Sequence, residues 1–137
     1  MPGSFFDSNV LLYLVSSDDI KRNCAENLMR AGGVISVQVL NEIANVCRRK
    51  FRMSWEETVE LLLKLRRALE VEPMVIDTHD RGLRLAQRYE LALYDSMLIG
   101  AAVRARCDTF WSEDMHDGLV IEGQLTIRNP FVSSGFD

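Results

Sequence analysis

Phe5-Phe6-Asp7-Ser8-Asn9-Val10-Leu11-Leu12-Tyr13 starts on an apolar pair, turns at a carboxylate and continues into a second apolar run. Ser4 to Phe6 reads as a short strand. Asp7 or Ser8 then caps a helix through Val15, since Asp and Ser are preferred N-caps. The same strand-then-helix grammar recurs along the chain. Ser17-Asp18-Asp19 caps a helix to about Arg30, and Gly32-Gly33 stops it. Val34 to Val37 reads as the second strand. A helix from Gln38 to Lys50 follows, with Val39, Leu40, Ile43, Val46 and Cys47 on its apolar face. Ser54-Trp55-Glu56-Glu57 is a Ser-x-x-Glu capping box that opens a long helix to Leu69. Val71 to Ile76 reads as a third strand, and Pro73 places it at an edge. Three further elements follow: a helix from Thr78 or Asp80 to about Glu90, a mostly buried helix from Tyr94 to Arg106, and a strand from Asp108 to Ser112. A weak strand from Gln124 to Arg128 closes the chain. Alternation of this kind predicts an α/β fold with a mostly parallel central sheet flanked by helices.

The chain has 137 residues, which fits a single domain across residues 1–137. It is 47% hydrophobic and 26% charged, an ordinary balance for a globular protein. The longest uninterrupted apolar stretch, Met97 to Val103, is far too short to span a bilayer. Met1-Pro2-Gly3-Ser4 carries no basic segment or long apolar run, so no signal peptide is expected. Cys24, Cys47 and Cys107 are widely spaced and odd in number, which points to reduced thiols in a cytoplasmic setting. The absence of Cys-x-x-Cys and of a helically spaced His pair argues against zinc. The net charge is −4, whereas a protein that coats nucleic acid through charge alone is usually basic. The cations are nevertheless mostly arginine, and they cluster at Arg48-Arg49-Lys50, Arg66-Arg67, Arg81-Arg84-Arg88 and Arg104-Arg106. Arginine suits forked phosphate contacts, although the same clusters also fit solvated helix faces and C-terminal turns.

Four carboxylates stand at the junctions of this pattern: Asp7, Glu42, Asp95 and Asp114. With parallel strands, three of them fall at strand ends or helix starts on one edge of the sheet, the edge where ligand sites form. At ~5 Å and an effective dielectric of about 20, each carboxylate pair repels by about 3 kcal/mol. A divalent cation relieves that repulsion, and hard oxygen ligands suit Mg²⁺ or Mn²⁺. Each acid also has a plainer reading. Asp7 serves equally as a helix cap, and Asn9 beside it as the amide that orients a neighbour. Glu42 sits at the rim of the apolar face centred on Ile43, where a solvated helix residue is the alternative. Asp95 opens an almost wholly apolar helix, so its charge is costly unless it is partnered, yet a carboxylate in a first turn is ordinary. Asp114 and Asp117 lie in Ser112-Glu113-Asp114-Met115-His116-Asp117-Gly118, whose composition also suits a turn. Asp117 is a further candidate near the ligands, with the turn reading favoured, and Ser112 is placed to bond a carboxylate or water from the second rank.

Taken together, the motifs resemble those of PIN-domain ribonucleases of the VapC-like toxin group, over nearly the whole chain. Phe5 to Tyr13 resembles the first PIN motif, with Asp-Ser-Asn where Asp-Thr-Asn is usual. Ile35 to Glu42 resembles the second, Tyr94 to Ala102 the third and Ser112-Glu113-Asp114 the fourth. A small residue such as Ala is commoner at the Ser96 position. Asn129-Pro130-Phe131 resembles the C-terminal strand end of one VapC subgroup. The resemblance implies a PIN-domain fold with a central sheet of about five strands. It further implies Mg²⁺ or Mn²⁺ dependence through Asp7, Glu42, Asp95 and Asp114, cleavage of RNA, a homodimer, and a cognate antitoxin that blocks the acidic site. The apolar residues Trp55, Val59, Leu62 and Leu63 are the nearest support for a dimer in the sequence itself, and the alternative is that they all face the core.

Three other classes compete. A PIN nuclease with a housekeeping role in RNA processing shares every motif. A metal-dependent phosphatase of the haloacid-dehalogenase kind needs a second Asp two residues after the first, and Asn9 stands there. A non-catalytic binding module has no need of four acids.

Overall fold

The computed structural model describes residues 3–132. Six strands form one sheet: β1 Ser4–Phe6, β2 Val34–Ser36, β3 Glu70–Glu72, β4 Thr109–Trp111, β5 Val120–Ile121 and β6 Leu125–Arg128. The helices are α1 Ser8–Leu11, α2 Asp19–Arg30, α3 Val37–Arg49, α4 Trp55–Ala68, α5 Ile76–Tyr89 and α6 Leu93–Arg104. The strand order is β3-β2-β1-β4-β6-β5. The first five in that order run parallel, and β5 pairs antiparallel with β6.

The order has a direct consequence for the site. From β1 the chain moves outward to β2 and β3, then returns to lay β4 on the other side of β1. The direction of winding therefore reverses between β1 and β4. A crevice opens outside the carboxyl ends of the strands at such a reversal. The inner strands β1 and β2 carry buried apolar residues because both faces of the sheet are covered there. Phe5 and Phe6 point to opposite faces, as neighbours on a strand must, and both are fully buried. Phe5 stacks on Phe110 of β4 with ring centroids 5.3 Å apart.

The predicted elements are present, with shifts that have local causes. The first helix is not continuous to Val15, because α1 tightens into a 3-10 turn over Leu12–Val15. The third strand covers Glu70–Glu72 and not the stretch to Ile76. Pro73 has no N–H for the ladder, and Ile76 already belongs to α5. Edge position is confirmed for β3. The sixth strand, β5, escapes sequence reading because it is two residues long. Its turn into β6 places Glu122 and Gly123 both at positive φ, 52° and 66°. The Ser54–Glu57 capping box forms as expected, with bonds of 2.9 and 3.0 Å.

Helix α6 is the interior helix. Every residue from Ser96 to Val103 is buried. Its tight seat against α5 depends on two glycines. A Cβ on Gly100 would lie 3.2 Å from both the Gly82 nitrogen and the Thr78 oxygen, and one on Gly82 would lie 2.6 Å from the Met97 sulfur. We expect Gly100→Val to destabilise the protein by about 1–3 kcal/mol, the usual range for overpacking. The check is a lower denaturant midpoint at unchanged slope. A midpoint equal to the parent's would mean that α5 and α6 separate freely.

Candidate functional site

Four elements deliver the four acids. Asp7 follows β1 directly, and its N–H bonds the Trp111 carbonyl of β4 at 2.9 Å. Asp114 lies two residues beyond Ser112, at the end of β4. Glu42 lies on α3, which Ser36 caps at the end of β2 through a 3.4 Å bond from Val39 N–H. Asp95 is in the first turn of α6. The structure therefore gathers the predicted acids on the carboxyl edge of the sheet, around the reversal between β1 and β4.

Asp7 occupies the position before α1, yet its side chain accepts no capping bond. The plain cap reading fails for this residue. Its carboxylate is turned into the crevice and is only 7% exposed. Three donors meet it: Ser112 Oγ–H at 2.9 Å, Asn9 Nδ2–H at 3.3 Å and, weakly, Ser8 Oγ–H at 3.5 Å. Asn9 acts as the sequence suggested. Its amide also donates to Ser112 Oγ at 3.3 Å, while its carbonyl accepts Glu113 N–H at 3.1 Å. Ser112 is buried and receives Asp114 N–H at 3.3 Å.

Two residues of this site were not singled out in the sequence. Ser8 Oγ–H donates to Glu42 Oε1 at 2.9 Å, so one hydroxyl links two of the acids. Gln38 donates from Nε2 to Glu42 Oε2 at 3.1 Å and to the Tyr94 carbonyl at 3.4 Å, joining α3 to the start of α6. Gln38 lies one helical turn before Glu42, a spacing that was the available signal. Asp117 is used elsewhere: its Oδ1 accepts Asn129 N–H at 2.8 Å and ties the loop after β4 to the end of β6. That bond supports the turn reading.

Burial pushes the Asp7 carboxyl up from its ordinary value of 3.8 to about 6. The Ser112 hydroxyl opposes the rise, and the charges of Glu42 and Asp95 add to it. Asp95 is likewise raised by burial, then by Glu42 and Asp114. The four groups thus feel one another's charge. Among the described residues, no lysine, arginine or histidine forms an ion pair with any of them. Nor do any three Asp, Glu, His or Cys side chains among the described residues close around one point tightly enough to hold an ion. Mutual repulsion opposes closer approach. In its chemistry the donor set, all carboxylate oxygen, fits a hard divalent cation.

Four arginines of the clusters are engaged away from the acids. Arg81 and Arg104 both pair with Asp77, Arg88 pairs with Glu122, and Arg48 lies over the Trp55 ring.

Residues 4–116 match the PIN domain family, and the chain belongs to that family. Solved structures share its fold. A toxin–antitoxin complex from Klebsiella pneumoniae superposes with a TM-score of 0.69 at 22% identity, covering 93% of this chain and 98% of that one. VapC20 of Mycobacterium tuberculosis, described as a sarcin-ricin loop cleaving toxin, gives 0.65 at 17% identity, covering 81% and 91%. VapBC2 of Rickettsia felis, bound to a DNA fragment from its promoter, gives 0.67 at 19% identity, covering 92% and 97%. Comparison with curated proteins finds no match.

The raised Asp7 carboxyl has a testable consequence for stability. Its folded pKa lies above its unfolded one, so the native state binds the proton more tightly. The stabilisation is full below about pH 4 and is lost as pH rises through about 6. Above that, a buried charge costs the fold about 3 kcal/mol. In the presence of a chelator, the unfolding free energy of Asp7→Asn relative to the parent should therefore grow by about 2 kcal/mol between pH 4 and pH 7. A difference that stays flat across this range would show that Asp7 titrates as an ordinary acid.

Proposed function

We propose that this chain is a Mg²⁺- or Mn²⁺-dependent ribonuclease and the toxin of a toxin–antitoxin pair. The observation that carries the reading is the set of four acids from four elements at the winding reversal, with no cationic side chain paired to them among the described residues. The PIN family supports a nuclease. The similar structures that are toxins or toxin–antitoxin complexes support the toxin role and an antitoxin partner.

In this reading Asp7, Glu42, Asp95 and Asp114 hold the cation, which supplies charge neutralisation and an activated water at neutral pH. The chain's own contribution is positional. Ser112 and Asn9 fix the Asp7 carboxylate from one side. Ser8 and Gln38 fix both oxygens of Glu42. The run of α6 buried from Ser96 onward anchors Asp95 in its first turn. These bonds orient the oxygens before any ligand arrives, so little reorganisation remains. The proposal takes residues 1–137 as one PIN domain in a cytoplasmic setting. No helix of the described residues is long and apolar enough to cross a membrane.

Purified Asp7→Asn and Asp95→Asn should each lose RNA cleavage by at least the ~10–100-fold that follows loss of a metal site's supporting residues. Both should keep the parent's circular dichroism. The assay uses total cellular RNA with and without Mg²⁺. Near-parental cleavage by a variant would remove that residue from the site, and metal-independent cleavage by the parent would sink the cation requirement.

A homodimer belongs to the same proposal. Trp55, Val59 and Leu63 of α4 are 65%, 49% and 40% exposed, so they do not all face the core. Light scattering at micromolar concentration should give twice the chain mass. A monomeric mass would contradict the dimer and leave the nuclease reading intact.

A further inference from the structure

The residue between Ser112 and Asp114 is held by machinery that the proposed chemistry does not use. Glu113 presents both carboxylate oxygens to partners on other elements. Tyr13 O–H donates to Oε1 at 2.7 Å, and Lys21 Nζ donates to Oε2 at 2.6 Å. Lys21 also donates to the Tyr13 oxygen at 3.2 Å, closing a three-membered network. The ammonium lies over two rings, 4.8 Å from the centroid of Tyr13 and 5.2 Å from that of Phe131. Those rings pack edge to face at 4.9 Å. Lys21 comes from α2, Tyr13 from the 3-10 turn after α1, and Phe131 from beyond β6. Three separate parts of the chain converge on one loop residue.

An exposed ion pair contributes little, but this one differs in kind. Lys21 is about one-third exposed and Glu113 about one-quarter. Both carboxylate oxygens are filled, and the ammonium also lies against two aromatic rings. The backbone of the same loop is held from the opposite side, where Asn9 takes Glu113 N–H and Ser112 takes Asp114 N–H. Glu113 is drawn toward α2, while Asp114 lies within electrostatic reach of Asp95. The loop is therefore pinned at its middle residue, next to a carboxylate that it must aim.

We propose that Lys21 and Tyr13 are positioning residues that, through Glu113, set Asp114 toward the other three acids. The inference rests on the cation-binding reading of those acids. Lys21 touches no reacting group. It acts by fixing where the fourth carboxylate points.

The test uses the full chain and Mn²⁺ as probe. Lys21→Met keeps the side-chain stem and removes the charge, Glu113→Gln breaks the network from the other end, and Lys21→Arg keeps a cation. Hydrogen exchange at the Glu113 and Asp114 amides should speed at least ~10-fold in Lys21→Met and Glu113→Gln, and hardly change in Lys21→Arg. Calorimetric Mn²⁺ affinity should fall ~10–100-fold in the first two variants. On an Asp114→Asn background, the same Lys21→Met change should cost less than about 3-fold, because coupled residues are not additive. Unchanged exchange at both amides, or an equal loss of affinity on both backgrounds, overturns the clamp. If the parent binds no Mn²⁺, the cation reading falls, and the exchange result alone decides whether the loop is clamped.

Discussion

One buried carboxylate at the end of the central strand constrains the rest of the molecule. Phe5 and Phe6 are sealed on both faces of the sheet, so β1 cannot shift to release Asp7 toward water. The Asp7 N–H is held by Trp111, which fixes the backbone as well. The side chain must then meet its solvation demand inside the crevice. Hydrogen bonds to an ionised group contribute roughly 1.5–3 kcal/mol each, while taking an ion out of water costs several. The Ser112 and Asn9 donors meet part of that demand. The raised pKa is the sign that part is left over.

The fold turns this local strain into a shared one. A winding reversal brings the ends of β1 and β4 side by side, and α3 and α6 approach the same edge from β2 and from the interior. Asp7, Glu42 and Asp95 sit on differently anchored elements, whereas Asp114 is exposed on the loop after β4 and is held through that loop's bonds. Asp95 is the clearest case. Its helix is buried from Ser96 to Val103, and the glycine contact between Gly100 and Gly82 sets how deep that helix lies. Packing far from the acids therefore determines how strongly they repel.

The parts of this arrangement that were legible in the sequence follow from local rules. The alternating elements, the Ser54 capping box and the edge position marked by Pro73 all depend on short-range pattern. The start of α6, expected to lie deep, is instead exposed at Leu93 and Tyr94 and buried only from Ser96. Asp7 shows where such rules stop. Its residue type and position are those of a cap, yet the side chain caps nothing, because a serine more than a hundred positions away offers a better bond. Ser8 escapes for a related reason: its bond to Glu42 exists only once α1 lies against α3. Gln38 carries a local signal in its one-turn spacing from Glu42, and only its bond to Tyr94 depends on α6. Glu113 carries no signal of its role in the sequence, since nothing local ties it to Lys21 and Tyr13. The six-stranded sheet exceeded the five or so expected because a two-residue strand carries no periodicity to read.

Charge gives the site its last constraint. On the proposed reading the substrate is a polyanion, and it approaches an edge with four acids on a chain of net charge −4. Part of the arginine set is engaged away from the acids: Arg81, Arg88 and Arg104 in ion pairs and Arg48 on Trp55. Whatever neutralises the acids also removes their repulsion of phosphate, so affinity for the substrate and affinity for the cation are reciprocally linked. The same linkage applies to an inhibitor. A cationic side chain inserted among the four carboxylates would satisfy Asp7 and in doing so remove the charge that draws phosphate in. A single unmet demand at the end of β1 would then account for activation by a metal and inhibition by a protein alike.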